Sequence, residues 1–209
     1  MAPDSIVFIV DDDGAVRDSL VTLLESHGYR ALSFPSAETF VDFLEAPPSA
    51  GCLLLDVNLP GASGLTLLRR MSEKFQDMPI LMITGMGQVA VAVEAMKAGA
   101  LDFLEKPLDP DRLFALVDRA LDISARASAS TQERCRARAR LDHLTPRELA
   151  VFEQLAMGRT NKQIAAELEI SPRTVEIHRA NLMAKLEATS VADLISLSAA
   201  AGTKRDTGE

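Results

Sequence analysis

Apolar positions fall into two patterns along this chain. In the first part, short runs that are apolar without alternation recur: Ile6 to Val10, Cys52 to Leu55, and Pro79 to Ile83. Such runs, bounded by Gly or Pro, read as parallel strands buried on both faces. Arg30 to Phe34 and Leu101 to Leu104 read as two further short strands. Between the strands the apolar spacing is helical. Val16, Leu20, Leu23 and Leu24 mark a helix from Gly14 to His27, with Gly28 as its stop. Ser36 caps a second helix through Leu44. Leu65, Leu68 and Met71 mark a third, from Gly64 to Phe75. Val89 to Ala98 is a fourth, ended by Gly99, and Arg112 to Ile123 is a fifth. This alternation predicts an α/β domain over residues 1–123: a five-stranded, doubly wound parallel sheet with helices on both faces.

From Ser124 to Leu141 the chain turns rich in Ala, Ser and Arg, with almost no large apolar residue. It reads as an exposed linker, either irregular or a helical extension of the fifth helix. Its alternating Arg134, Arg136, Arg138 and Arg140 suit a solvated linker or an arm that touches DNA.

Residues 142–201 are helical throughout. Thr145-Pro146-Arg147-Glu148 has the form of a capping box with proline at the first helical position. Leu149, Phe152 and Leu155 are its apolar stripe, and Gly158 its end. Asn161 caps a short helix, Lys162 to Leu168. Ser171-Pro172 opens a longer one to Leu186, and Ser190 caps a last one to Ala201. Residues 202–209 are expected to be disordered.

Composition narrows the class. The chain is 47% apolar and has no apolar run long enough to span a membrane. Its first residues lack the basic-then-apolar pattern of a signal peptide. Two distant cysteines, Cys52 and Cys135, make no disulfide framework, so a reduced, cytoplasmic protein is expected. The net charge of −8 is uneven: about −10 up to Ile123 and +2 beyond it. An acidic front suggests a cation site, and a mildly basic rear suggests a polyanion partner.

Four of the strands end on groups with chemistry: Asp11 and Asp12, then Asp56, Thr84 and Lys106. In an open α/β sheet these ends form the ligand-binding rim. Asp56 suits a nucleophile that becomes an aspartyl phosphate. Clustered acids need a counter-cation, and Mg²⁺ fits, held by Asp11, Asp12, Asp56 and the backbone carbonyl of Asn58. Lys106 would pair with a phosphate oxygen and the Thr84 hydroxyl would donate to another. A cis Lys106–Pro107 peptide would set the lysine's direction.

This set resembles the receiver domain of two-component response regulators. The resemblance covers about Ile6 to Ile123. It implies that Asp12 binds the metal directly and Asp11 mostly through water. It also implies that Phe103 is an aromatic switch that is buried when Thr84 swings inward, and that a surface within Gly87 to Ile123 forms a phosphorylated homodimer. Met86 and Gln88 depart from the His and Asp expected in the FixJ-type subfamily, beside the phosphate entrance.

In the rear domain, the helices from Asn161 and from Pro172 read as a helix-turn-helix whose second helix is the recognition helix. Val175, His178, Leu182 and Leu186 share one side, toward a core. Arg173, Thr174, Ile177, Ala180, Asn181 and Ala184 fall opposite. Ile177 and Ala180 there suit thymine methyl groups in a major groove. The stretches Leu144 to Leu149, Asn161 to Ala165 and Ile170 to Leu186 resemble the LuxR-type helix-turn-helix of the NarL/FixJ class. That implies base contacts from Glu176, Ile177 and Ala180. It implies phosphate contacts from Lys162, Arg173, Thr174, His178, Arg179 and Lys185.

Together these features lead to an expected non-enzyme: a transcriptional regulator phosphorylated at Asp56 by a sensor histidine kinase. Its expected partners are double-stranded DNA, RNA polymerase and a second copy of itself. Two rivals are a phosphorylation-independent DNA-binding protein and an Asp-dependent phosphohydrolase. The hydrolase needs an acid two residues after its nucleophile, where this chain has Asn58.

Overall fold

The computed structural model describes residues 5–44, 50–60, 63–75, 77–85 and 89–202. Met86, Gln88 and residues 203–209 lie outside the described residues. The chain forms two compact units, Met1–Ser128 and Ala129–Glu209.

The first unit alternates strand and helix: β1 (Ile6–Val10), α1 (Gly14–Ser26), β2 (Arg30–Phe34), α2 (Ala37–Phe43), β3 (Gly51–Asp56), α3 (Gly64–Lys74), β4 (Ile80–Thr84), α4 (Val89–Lys97), β5 (Asp102–Glu105) and the first part of α5 (Pro110–Leu141). All strand pairs are parallel, in the order β2-β1-β3-β4-β5. This is the expected doubly wound, flavodoxin-like sheet. Its burial explains the unbroken apolar runs. Phe8, Val10, Leu53, Leu55, Ile80 and Met82 point to one face, packed by α2, α3 and α4. Val7, Ile9, Cys52, Leu54, Leu81 and Ile83 point to the other, packed by α1 and α5. Side chains alternate across a strand, so two covered faces require apolar residues at every position. Cys52 lies inside this layer, where burial pushes its thiol up to about 12.

The fifth helix takes the second of the two forms expected for residues 124–141, a helical extension. It runs 32 residues, through the whole Ala/Ser/Arg-rich stretch to Leu141. The segment is not exposed throughout. Ser124 is buried, donating to the Asp77 carbonyl at 2.8 Å and accepting from Gly51 N at 3.0 Å. Ala137 and Leu141 are buried in the core of the second unit.

That unit adds α6 (Pro146–Ala156), α7 (Asn161–Glu167), α8 (Pro172–Lys185) and α9 (Val191–Ala201). Its core includes Val151, Phe152, Leu155, Ile164, Val175, Leu182, Leu186, Leu194 and Leu197. The expected caps Thr145, Ser171 and Ser190 are in place, and Thr145 forms its box with Glu148. One cap moves by a residue: Thr160, not Asn161, caps α7, through a box with Gln163. Threonine wins because Gln163 stands three residues after it and can answer its backbone N–H. Among the described residues no helix is long and apolar enough to cross a membrane.

Candidate functional site

The rim of the sheet gathers the strand-end groups into one cluster. β3 is the central strand, so Asp56 at its end is flanked by the ends of β1 and β4. Asp11 follows β1 and is 1% exposed; Asp56 is 3% exposed. Two buried carboxylates this close require a cation. Lys106 supplies it, donating to Asp11 Oδ2 at 2.9 Å and to Asp56 Oδ1 at 2.7 Å. Burial alone would lower the lysine's pKa, but the hydrogen bonds to Asp56 and Asp11 outweigh it and raise it. The Lys106–Pro107 peptide is cis, and Lys106 N donates to the Thr84 carbonyl at 2.8 Å. The other Asp56 oxygen, Oδ2, accepts from Asn58 N at 2.6 Å.

Thr84 ends β4, buried, with its hydroxyl directed to the Gly85 carbonyl at 3.3 Å. Phe103 is half-buried on β5 and packs against the α2–α4 face of the sheet. Its carbonyl accepts from Arg112 at 3.1 Å, and the Arg112 guanidinium lies 5.8 Å from its ring centre.

The three acids after β1 separate by environment. Asp11 is buried, Asp12 is exposed, and Asp13 caps α1 by accepting from Ala15 N at 2.9 Å. Arg17 donates to the Asp11 carbonyl at 2.8 Å. The cap and Arg17 escaped the sequence reading, although an acid just before a helix start is a signal for a cap. Among the described residues no three His, Cys, Asp or Glu side chains converge as a ready-made metal cage. The donors present are hard oxygens. Mg²⁺ needs only one or two carboxylates, because it keeps several of its waters. This rim fits that ion and suits no ion that needs nitrogen or sulfur ligands.

In the second unit α7, a short turn and α8 form the helix-turn-helix. Val175, Leu182 and Leu186 are buried. His178, expected on the same side, is only half-buried. Ile177 is 51% exposed, and Arg173, Glu176, Ala180, Asn181 and Ala184 are exposed beside it. Arg173 pairs with Glu176 at 3.0 Å across one helical turn. Exposed pairs of this kind hold little free energy, so both groups can exchange partners. Arg179 reaches Asn161 Oδ1 at 3.4 Å.

Lys185 has a partner that the sequence reading missed. Its ammonium lies 2.6 Å from Glu148 Oε2, and the Glu148 side chain is only 5% exposed. The same oxygen accepts from Thr145 N at 2.8 Å and Thr145 Oγ1 at 2.9 Å. The Lys185 ammonium, then the Thr145 N–H, hold Glu148 down at about 2, from an ordinary 4.5. A carboxylate with a depressed pKa contributes stability above its unfolded value and loses it as pH falls toward its folded value. The second unit should therefore weaken between roughly pH 4.5 and 2. In Lys185→Met its acid unfolding, followed by circular dichroism, should move to higher pH. An unmoved midpoint would mean that the pair does not hold the fold.

Residues 7–118 match the response regulator receiver domain, and residues 142–198 match the luxR family of bacterial regulatory proteins. The transcriptional regulatory protein FixJ of Bradyrhizobium diazoefficiens is 45% identical over 96% of this chain and 97% of its own length. The response regulator TmoT of Ectopseudomonas mendocina is 38% identical over 92% of this chain and 87% of its own. Among solved structures, response regulator StyR aligns with a TM-score of 0.82 at 37% identity, covering 94% of this chain and 98% of that one. Full-length FixJ from B. japonicum aligns with a TM-score of 0.57 at 44% identity, over 98% and 100%. The chain belongs to the two-component response regulators and is a FixJ-like one, a receiver joined to a LuxR-type DNA-binding domain.

Proposed function

We propose that Asp56 accepts a phosphoryl group from the phosphohistidine of a sensor kinase. The arrangement of Lys106 carries this reading: one ammonium bridges two buried carboxylates, at 2.9 and 2.7 Å. An Asp56 oxygen forms the new bond to phosphorus and the histidine nitrogen leaves. Lys106 then shifts from the carboxylate to a phosphoryl oxygen. Thr84 turns its hydroxyl toward another, and Phe103 moves into the space that Thr84 vacates. Asp11, Asp12, Asp56 and the Asn58 carbonyl would hold Mg²⁺, and the ion would supply positive charge against the phosphoryl oxygens.

Output follows from two surfaces. Val93 and Met96 leave 49% and 43% of themselves exposed on α4, apolar area suited to a homodimer face. Two recognition helices in that dimer would read a roughly palindromic DNA site. Glu176, Ile177 and Ala180 would meet base edges, while Lys162, Arg173, Thr174, His178 and Arg179 would meet phosphates. Lys185 would join the phosphate set through the N–H donors that Glu148 leaves open, its side chain being 38% exposed. The bound dimer would recruit RNA polymerase in the cytoplasm. Asn58 offers no general acid, which disfavours turnover as a hydrolase.

A small phosphodonor tests the first step. With Mg²⁺ the chain should gain the mass of one phosphoryl group, on the peptide that carries Asp56. Chelation of Mg²⁺ should suppress the gain. An unchanged mass with Mg²⁺ present would sink the proposal.

A further inference from the structure

The end of α5 carries two arginines that meet the carbonyl ends of other helices. Arg138 Nε donates to the Ala201 carbonyl, at the end of α9, at 3.1 Å. Arg140 Nη2 donates to the carbonyl of Leu186, the C-terminal capping residue of α8. The last carbonyls of a helix have no partner within it, and its negative dipole end favours a cation.

The two helix ends differ in how much they need this. α9 stops on Gly202 at φ 68, the left-handed conformation that glycine adopts freely. α8 is followed by Glu187 at φ 50, a side chain in a region that favours glycine. Backbone N–H groups of Leu186, Ala188 and Glu187 serve the Leu182, Met183 and Ala184 carbonyls. The Leu186 carbonyl is served by Arg140. The arginine is itself held in place, because Ala137 and Leu141 bury the neighbouring face of α5 in the same core.

We propose that Arg140 is a positioning residue for α8: it fixes the last turn of the recognition helix, and so sets DNA affinity, without touching DNA. It lies outside the luxR-family segment, which begins at residue 142. This inference rests on the reading of α8 as the helix that enters the groove.

The full chain, treated with phosphodonor and Mg²⁺, tests it against a duplex that the wild type enriches from a random-sequence pool. Arg140→Gln should bind that duplex about tenfold more weakly, the loss expected for a charged cap at a helix end. Its salt dependence should be unchanged. Arg140→Lys keeps the cation and should recover most of the loss. Without DNA, amides of residues 182–188 should exchange faster in Arg140→Gln. Arg138→Gln, at a helix end that already has its glycine, should leave those amides unchanged. A salt slope reduced by about 1 would make Arg140 a phosphate contact and overturn the proposal. So would unchanged α8 exchange in Arg140→Gln, or equal loss of protection in Arg138→Gln. If the wild type enriched no duplex, the DNA-binding reading would fall, and α8 exchange alone would decide the cap.

Discussion

Lys106→Met should destabilise the receiver unit by about 3 kcal/mol, at the low end of the cost of breaking a buried ion pair. Asp11 and Asp56 are 1% and 3% exposed, and the methionine leaves them facing each other without their ammonium. The low end applies because the Lys106 side chain is 32% exposed, so water screens part of the interaction. Met keeps the length and apolar stem of the lysine, so packing changes little. Denaturant unfolding of the receiver unit reads the loss. Mg²⁺ should restore part of it, since a ligand that binds only the folded state stabilises that state. A loss under about 1 kcal/mol would place Lys106 outside the network that holds the two carboxylates.

Gly64→Ala should cost about 3 kcal/mol, the upper range for overpacking, because its clash is with backbone rather than with a side chain that can turn away. A Cβ on Gly64 would overlap the Asp56 carbonyl and lie 3.0 Å from Val57 Cα. The first turn of α3 thus approaches β3 closely where Asp56 stands, and Gly64 N donates to the Val57 carbonyl at 3.1 Å. Displacing that contact moves the backbone that carries Asp56, so phosphorylation should also slow. Gly14→Ala is the control. A Cβ there meets only the Arg17 guanidinium at 3.6 Å, so the change should be neutral or stabilise α1. Equal losses at both positions would mean that the α3–β3 approach is looser than described.

The sheet was legible because a strand covered on both faces has a distinctive composition. Leu53, Leu54 and Leu55 carry no alternation, and each face of the sheet receives its share of them. The rim was legible for a related reason: polar groups interrupt those runs only where the strands end. Helix starts were readable where a cap and its partner lie three residues apart, as with Thr145 and Glu148. At α7 two good caps stand side by side, Thr160 and Asn161, and Gln163 is the signal that decides for Thr160.

Long-range pairings left no local trace. Nothing near Lys185 in sequence points to Glu148, and nothing near Arg140 points to the Leu186 carbonyl. Residues 124–141 looked exposed because large apolar side chains are scarce. Alanine is small enough to be buried at a close helix contact, as Ala137 is, so the scarcity misled. The absence of Gly and Pro in that stretch, with its many good helix formers, was the signal for a continuous helix.

Sedimentation of the full chain with phosphodonor and Mg²⁺, comparing wild type with Asp56→Ala, bears most directly on Asp56 as the switch. The wild type should shift from monomer to dimer. The variant should remain as it was before treatment, with both units still folded by denaturant unfolding. An Asp56→Ala chain that dimerised on phosphodonor treatment as fully as the wild type would contradict the mechanism.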